Sequence, residues 1–194
     1  MGSHRMVTKQ VSFYEEMTNV PFIIAGPGIH PRQKPVEDLL TQPTIDLLPT
    51  LCELAGIPVP SSKPGISLAP FLKGEKQKRQ HPYAASEWHS EYEVTVSPGR
   101  MIRSPRYKYT HYLEGNGEEL YDMLKDKGER RNLAHDPKYS KILAEHRALL
   151  DDYIRRTQDD YRSLKVEADK RWRSHAPGYP NHEGPCTRDI INRK

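Results

Sequence analysis

Cysteine is almost missing from this chain: Cys52 and Cys186 are the only two among 194 residues. They form no CxxC pair, so the sequence encodes no disulfide framework. Cys52 lies in an apolar helical run and reads as an inert buried thiol. Cys186 falls in a polar tail with His175 and His182, at spacings that match no standard zinc module. Large apolar residues are also sparse, with three Phe and two Trp, and the mean hydropathy is −0.85. No apolar stretch approaches the roughly 20 residues a membrane-spanning helix needs. There is no N-x-S/T sequon. Met1-Gly2-Ser3-His4-Arg5 opens into polar residues rather than the apolar core of a secretion signal, which leaves the compartment unassigned. Dense Lys/Arg blocks are lacking too: the net charge is only +4. A mild basic excess suits an anionic substrate better than a nucleic-acid backbone. The Tyr/Arg/Lys alternation at 106–112 carries no RNA-binding signature and is explained by a half-buried strand.

Proline is what the chain has in quantity, with 17 residues that punctuate it into short elements. Val20-Pro21-Phe22-Ile23-Ile24-Ala25 is a continuous apolar run that Pro27-Gly28 stops. This is the pattern of a strand covered on both faces, as in a parallel α/β sheet, and few neighbours for it are encoded nearby. Val36–Leu40 is a second short candidate. In 44–56, Leu47, Leu48, Leu51, Leu54 and Ala55 recur at helical spacing before Gly56. With Pro49 in the first turn, Asp46 is the expected N-cap. A proline-rich loop spans 57–72, and a solvated charge run spans 74–80.

From Pro82 the pattern becomes antiparallel. Tyr83–His89, Arg100–Arg103, Arg106–Leu113 and Glu119–Met123 are expected strands of a small sheet with one packed face. Asp136-Pro137 opens a helix whose stripe of Tyr139, Ile142, Leu143, His146, Leu149, Leu150, Tyr153 and Ile154 should cover that sheet. The expected organisation is an α/β layer over 1–80, an antiparallel sheet with a covering helix over 81–160, and a charged tail rich in Pro, Gly and His over 161–194.

Taken in order, several of these segments resemble one family. They are Gly2-Ser3-His4, Lys9, Phe13-Tyr14-Glu15-Glu16, Val20-Pro21-Phe22-Ile23-Ile24 with Gly26-Pro27-Gly28, Thr44–Leu51, and Gly65-Ile66-Ser67-Leu68. Arg100-Met101-Ile102-Arg103, Arg106-Tyr107-Lys108-Tyr109, Glu119-Leu120-Tyr121-Asp122, Glu129 and Asn132-Leu133-Ala134 follow. Together they resemble the C-terminal portion of a type I sulfatase, of the alkaline-phosphatase-like superfamily. The resemblance implies a fold in which the VPFIIA run belongs to a large central sheet built mostly by residues outside this chain. It also implies formylglycine, made from Cys or Ser in C/S-x-P-x-R, and calcium held by acidic residues. Neither cysteine fits that motif, and Ser62, with Pro64 two on, meets Ile66 where Arg belongs. No cofactor is therefore expected in this chain, and hydrolysis of a sulfate ester is not expected from it alone.

Residue by residue, Lys9 matches the family lysine that contacts the sulfate. Its ammonium would neutralise a sulfate oxygen and the charge developing on the bridging oxygen. His4 matches the family's G-x-H and would donate to the substrate or carry a proton. The same Gly2-Ser3-His4 also has the look of a purification-tag remnant, in which case His4 leaves the set. Trp88 and His89 stand at a strand-to-loop edge that borders the substrate cleft in this family. As a packed Trp and a surface His they have a plainer reading as well. The expected partners are a sulfate ester, including a sulfated carbohydrate, and either the remainder of the sulfatase fold or a second copy covering the sheet edge. Two rivals stand beside this: a non-catalytic module binding sulfated glycans, and part of a related phosphodiesterase or phosphonate hydrolase.

Overall fold

The computed structural model describes residues 4, 12–31, 34, 36, 39–62, 64–76, 81–88, 98–113 and 117–164. Among these residues, besides two 3₁₀ turns, four α-helices and four strands follow in order: α1 (Glu15–Thr18), α2 (Pro43–Leu54), α3 (Ala69–Leu72), β1 (Ala84–Trp88), β2 (Gly99–Arg103), β3 (Tyr107–Tyr112), β4 (Gly117–Asp122) and α4 (Ser140–Thr157). The four strands form an antiparallel meander in the order β1-β2-β3-β4. The register pairs Ile102 with Tyr109 and Tyr109 with Leu120. That row lies under α4. Ile102, Tyr109, Leu120, Leu143 and Leu150 are all buried in one cluster, with Tyr139, Ile142, Leu149, Tyr153 and Ile154 packed against it. Fully burying each such side chain contributes roughly 1.5–3 kcal/mol. The strands fall within two residues of the expected bounds, and α4 presents the expected stripe. Asp136 accepts from the Lys138 N–H at 3.1 Å, but it caps a 3₁₀ turn that leads into α4. At the other end Arg155 and Arg156 sit in the last turn, where the helix dipole favours cations.

The expected solvent face of this sheet is covered. Lys108 and Thr110 are each 1% exposed, as is Tyr109 between them. Residues 13–18 lie across this second face. Phe13 passes so close over Gly99 that any Cβ there would strike its ring, and Tyr14 packs on Tyr121 and Met123. Alternation along β3 therefore carries two buried faces rather than one.

Helix α2 departs from expectation in its cap. It begins at Pro43 with Gln42 as N-cap, which places Pro49 inside the helix. Asp46 turns inward instead and is fully buried. Its carboxylate accepts from the Gln42 N–H at 2.7 Å and the Ile66 N–H at 2.8 Å, and it lies 2.7 Å from His81 Nε2. Thr50 Oγ1 donates to the Asp46 carbonyl and accepts from the Leu68 N–H. The Gly65–Leu68 loop is thus held on α2 by two buried polar side chains. Pro49 has no N–H for the Ile45 carbonyl, and Gly65 approaches that carbonyl at φ +118, where a methyl group would collide with it.

The Val20–Ala25 run forms no strand. It is irregular, with Val20 56% and Ile23 87% exposed. A lone extended segment cannot satisfy its backbone N–H and C=O groups by itself, so without flanking strands water takes them. Leu47, Leu48, Leu51, Ile57 and Val59 add further exposed apolar surface around α2. The Val36–Leu40 candidate shows no strand at 36, 39 and 40, and the rest of it lies outside the described residues.

Candidate functional site

Of the four site residues expected from sequence, two fall among the described residues. Lys9 and His89 lie outside them. His4 stacks flat on Tyr14, with ring centroids 3.6 Å apart and planes 4° from parallel. Its Nε2 is buried without a hydrogen-bond partner. Trp88 ends β1 opposite Gly99, in the cross-strand row Trp88–Gly99–Tyr112 that Phe13 covers. The Trp88 carbonyl accepts from Arg100 at 2.7 Å, while the indole N–H is buried and unpartnered. His4 and Trp88 are thereby both referred to the sheet face that residues 13–18 occupy.

That face holds an ion cluster that sequence reasoning missed. Lys108 Nζ lies 2.6 Å from Glu15 Oε1 and 2.9 Å from Glu129 Oε1. It also donates to the Phe13 carbonyl at 2.8 Å. Glu129 Oε2 accepts from the Glu15 N–H at 2.7 Å. Burial pushes the Glu129 carboxyl up, and the Lys108 charge and the Glu15 N–H oppose that rise. Burial lowers the Arg103 guanidinium, and the charges of Glu15 and Glu129 oppose that. The buried Lys108 thus has two carboxylate partners, the pairing a buried charged group requires. Burial also keeps the Tyr14 and Tyr121 hydroxyls firmly protonated, Tyr14 with help from the Glu119 charge. The available signal was a lysine in mid-strand between two tyrosines, since a lysine is seldom fully buried unless paired.

His4, Glu16 and Glu129 also bring ligand atoms within 4.8 Å of one another. They do not fit calcium, which takes six to eight oxygen ligands. One donor here is an imidazole, and Glu129 is already engaged by the Lys108 ammonium. The formylglycine motif is likewise missing from the sequence.

Residues 2–156 match the family described as N-sulphoglucosamine sulphohydrolase, C-terminal. The chain belongs to this sulfatase family. Across all 194 residues it is 76% identical to the Delta 4,5-hexuronate-2-O-sulfatase of Bacteroides thetaiotaomicron, and it spans 40% of that protein's length. A solved 2-O GAG sulfatase matches with a TM-score of 0.84 at 76% identity, over 97% of this chain and 41% of that one. A second, bound to its substrate D-glucosamine-2-N,6-O-disulfate, matches at 28% identity with a TM-score of 0.51, over 64% of this chain and 25% of that one. The small antiparallel sheet and its covering helix are thus part of a sulfatase fold of the alkaline-phosphatase-like superfamily, and the chain is the C-terminal part of such a sulfatase.

Proposed function

We propose that this C-terminal part serves a sulfatase acting on a sulfated saccharide whose ester lies at O2 of a hexuronate. The 76% identity to the hexuronate-2-O-sulfatase along the entire chain supports that substrate class. Within it, Lys9 holds a sulfate oxygen and offsets charge on the bridging oxygen as the S–O bond breaks. His4 donates to the substrate, and Trp88 and His89 form one wall of the cleft against the sugar. Formylglycine and calcium serve the family's chemistry, but the residues of this chain fit neither, so its own part is binding and charge neutralisation. The exposed apolar residues of Val20–Ala25 and α2 pack against the remaining α/β core of the sulfatase.

Turnover of an unsaturated 2-O-sulfated disaccharide tests this. The chain alone should be silent. A full-length enzyme carrying it should release sulfate, and Lys9→Ala should lower kcat by about 100-fold or more. Turnover by the chain alone, an inert Lys9→Ala change, or a preference for a phosphonate monoester over the sulfate would each overturn the assignment.

A further inference from the structure

We infer that Lys108, acting with Glu129, is a positioning residue for the segment that carries the sulfate-contacting lysine. This rests on the proposed role of Lys9. His4 and Phe13–Thr18 bracket Lys9 in sequence, and both are fixed to the sheet. His4 is fixed through its stacking on Tyr14. Phe13–Thr18 are fixed through Lys108, which reaches the Phe13 carbonyl, Thr18 Oγ1 and the Glu15 carboxylate from one buried ammonium. Glu129 closes the arrangement from the loop after β4, because it binds both Lys108 and the backbone N–H of Glu15.

Three separate stretches of chain therefore meet at one charge cluster. Tyr14, Met17, Tyr121 and Met123 pack together beside it. A charged pair in a site this dry adds a directional demand, since a small shift leaves a carboxylate or an ammonium unpaired. The cluster thus sets the register on the sheet of α1, the segment that follows Lys9 in the sequence. Displacing a substrate-binding group by about 1 Å costs on the order of 100-fold in rate, so an anchor touching no substrate still governs turnover.

The test has two arms. In the first, amide hydrogen exchange is followed on the full 194-residue chain. Lys108→Met should speed exchange at residues 13–18 by about tenfold or more and leave α4 unchanged, as expected of a local opening. Glu129→Gln keeps an acceptor for the Glu15 N–H and should give a smaller increase at the same amides. In the second arm, the same variants in a full-length sulfatase should lower kcat/KM by about 100-fold and less, respectively. Unchanged exchange at 13–18 would overturn the proposal, as would protection lost equally through α4 or turnover indifferent to both variants. If the unaltered enzyme releases no sulfate, the sulfatase reading fails, while the exchange arm still decides whether Lys108 anchors α1.

Discussion

The sheet capped by α4 and the region around α2 are built from similar residues to opposite ends. In the first, Ile102, Tyr109, Leu120 and Leu150 are each 1% exposed or less, and every face finds a partner inside the chain. In the second, Leu47, Leu48, Leu51, Ile57 and Ile23 stand between 40% and 87% exposed. The buried residues of α2 itself are Asp46, Pro49 and Thr50, and the two polar ones bind a loop rather than a core. Apolar surface exposed on this scale is the kind that packs against a partner. That matches a chain spanning 40% of the length of its hexuronate-sulfatase relative.

Truncations separate the two regions most sharply. Leu150→Ala should cost about 3 kcal/mol in urea unfolding of the chain, as buried leucine truncations do. Ile23→Ala, at a residue 87% exposed, should cost less than about 0.5 kcal/mol. Equal costs would erase the distinction. Next is Asp46→Ala, which strips the Gln42 and Ile66 N–H groups and His81 of their acceptor. It should cost about 2 kcal/mol, seen as faster exchange at 65–68 with α4 unaffected. Gly65→Ala should cost about 1–2 kcal/mol by combining a positive φ with a backbone collision, again confined to the α2 region.

The smallest effect concerns pH. His146 Nε2 lies 2.9 Å from Ser104 Oγ, and its Nδ1 is 2.8 Å from the Ile142 carbonyl. Burial holds the imidazole below its ordinary value of 6.5. The folded state therefore prefers neutral His146. Its contribution is complete above the unfolded value and is lost as pH falls from there through the folded one. The urea midpoint should drop between pH 7.5 and pH 5, and His146→Gln should flatten that drop. A midpoint rising on acidification would contradict the sign.

These regions were unequally legible. The four strands and the α4 stripe follow from local rules, because each hydrophobic position there meets a partner within the chain. Asp46 was expected as an N-cap because capping is the commonest use of an Asp before a helical run. Its actual use depends on Ile66 and His81, 20 and 35 residues away. Lys108 was hidden for the same reason: its partners lie at positions 13, 15 and 129, and no period along β3 reveals them. Val20–Ala25 reads as a strand because its residues suit one, yet a strand is a property of a pair. The run's composition names an environment, and the described residues do not supply it.

The most direct measurement is hydrogen exchange at residues 20–25, in the chain alone and in a full-length sulfatase containing it. The amides should exchange freely in the first and be protected in the second, with sulfate release appearing only there. Residues 20–25 equally exposed in both, or an isolated chain that hydrolyses the 2-O-sulfated disaccharide, would contradict it.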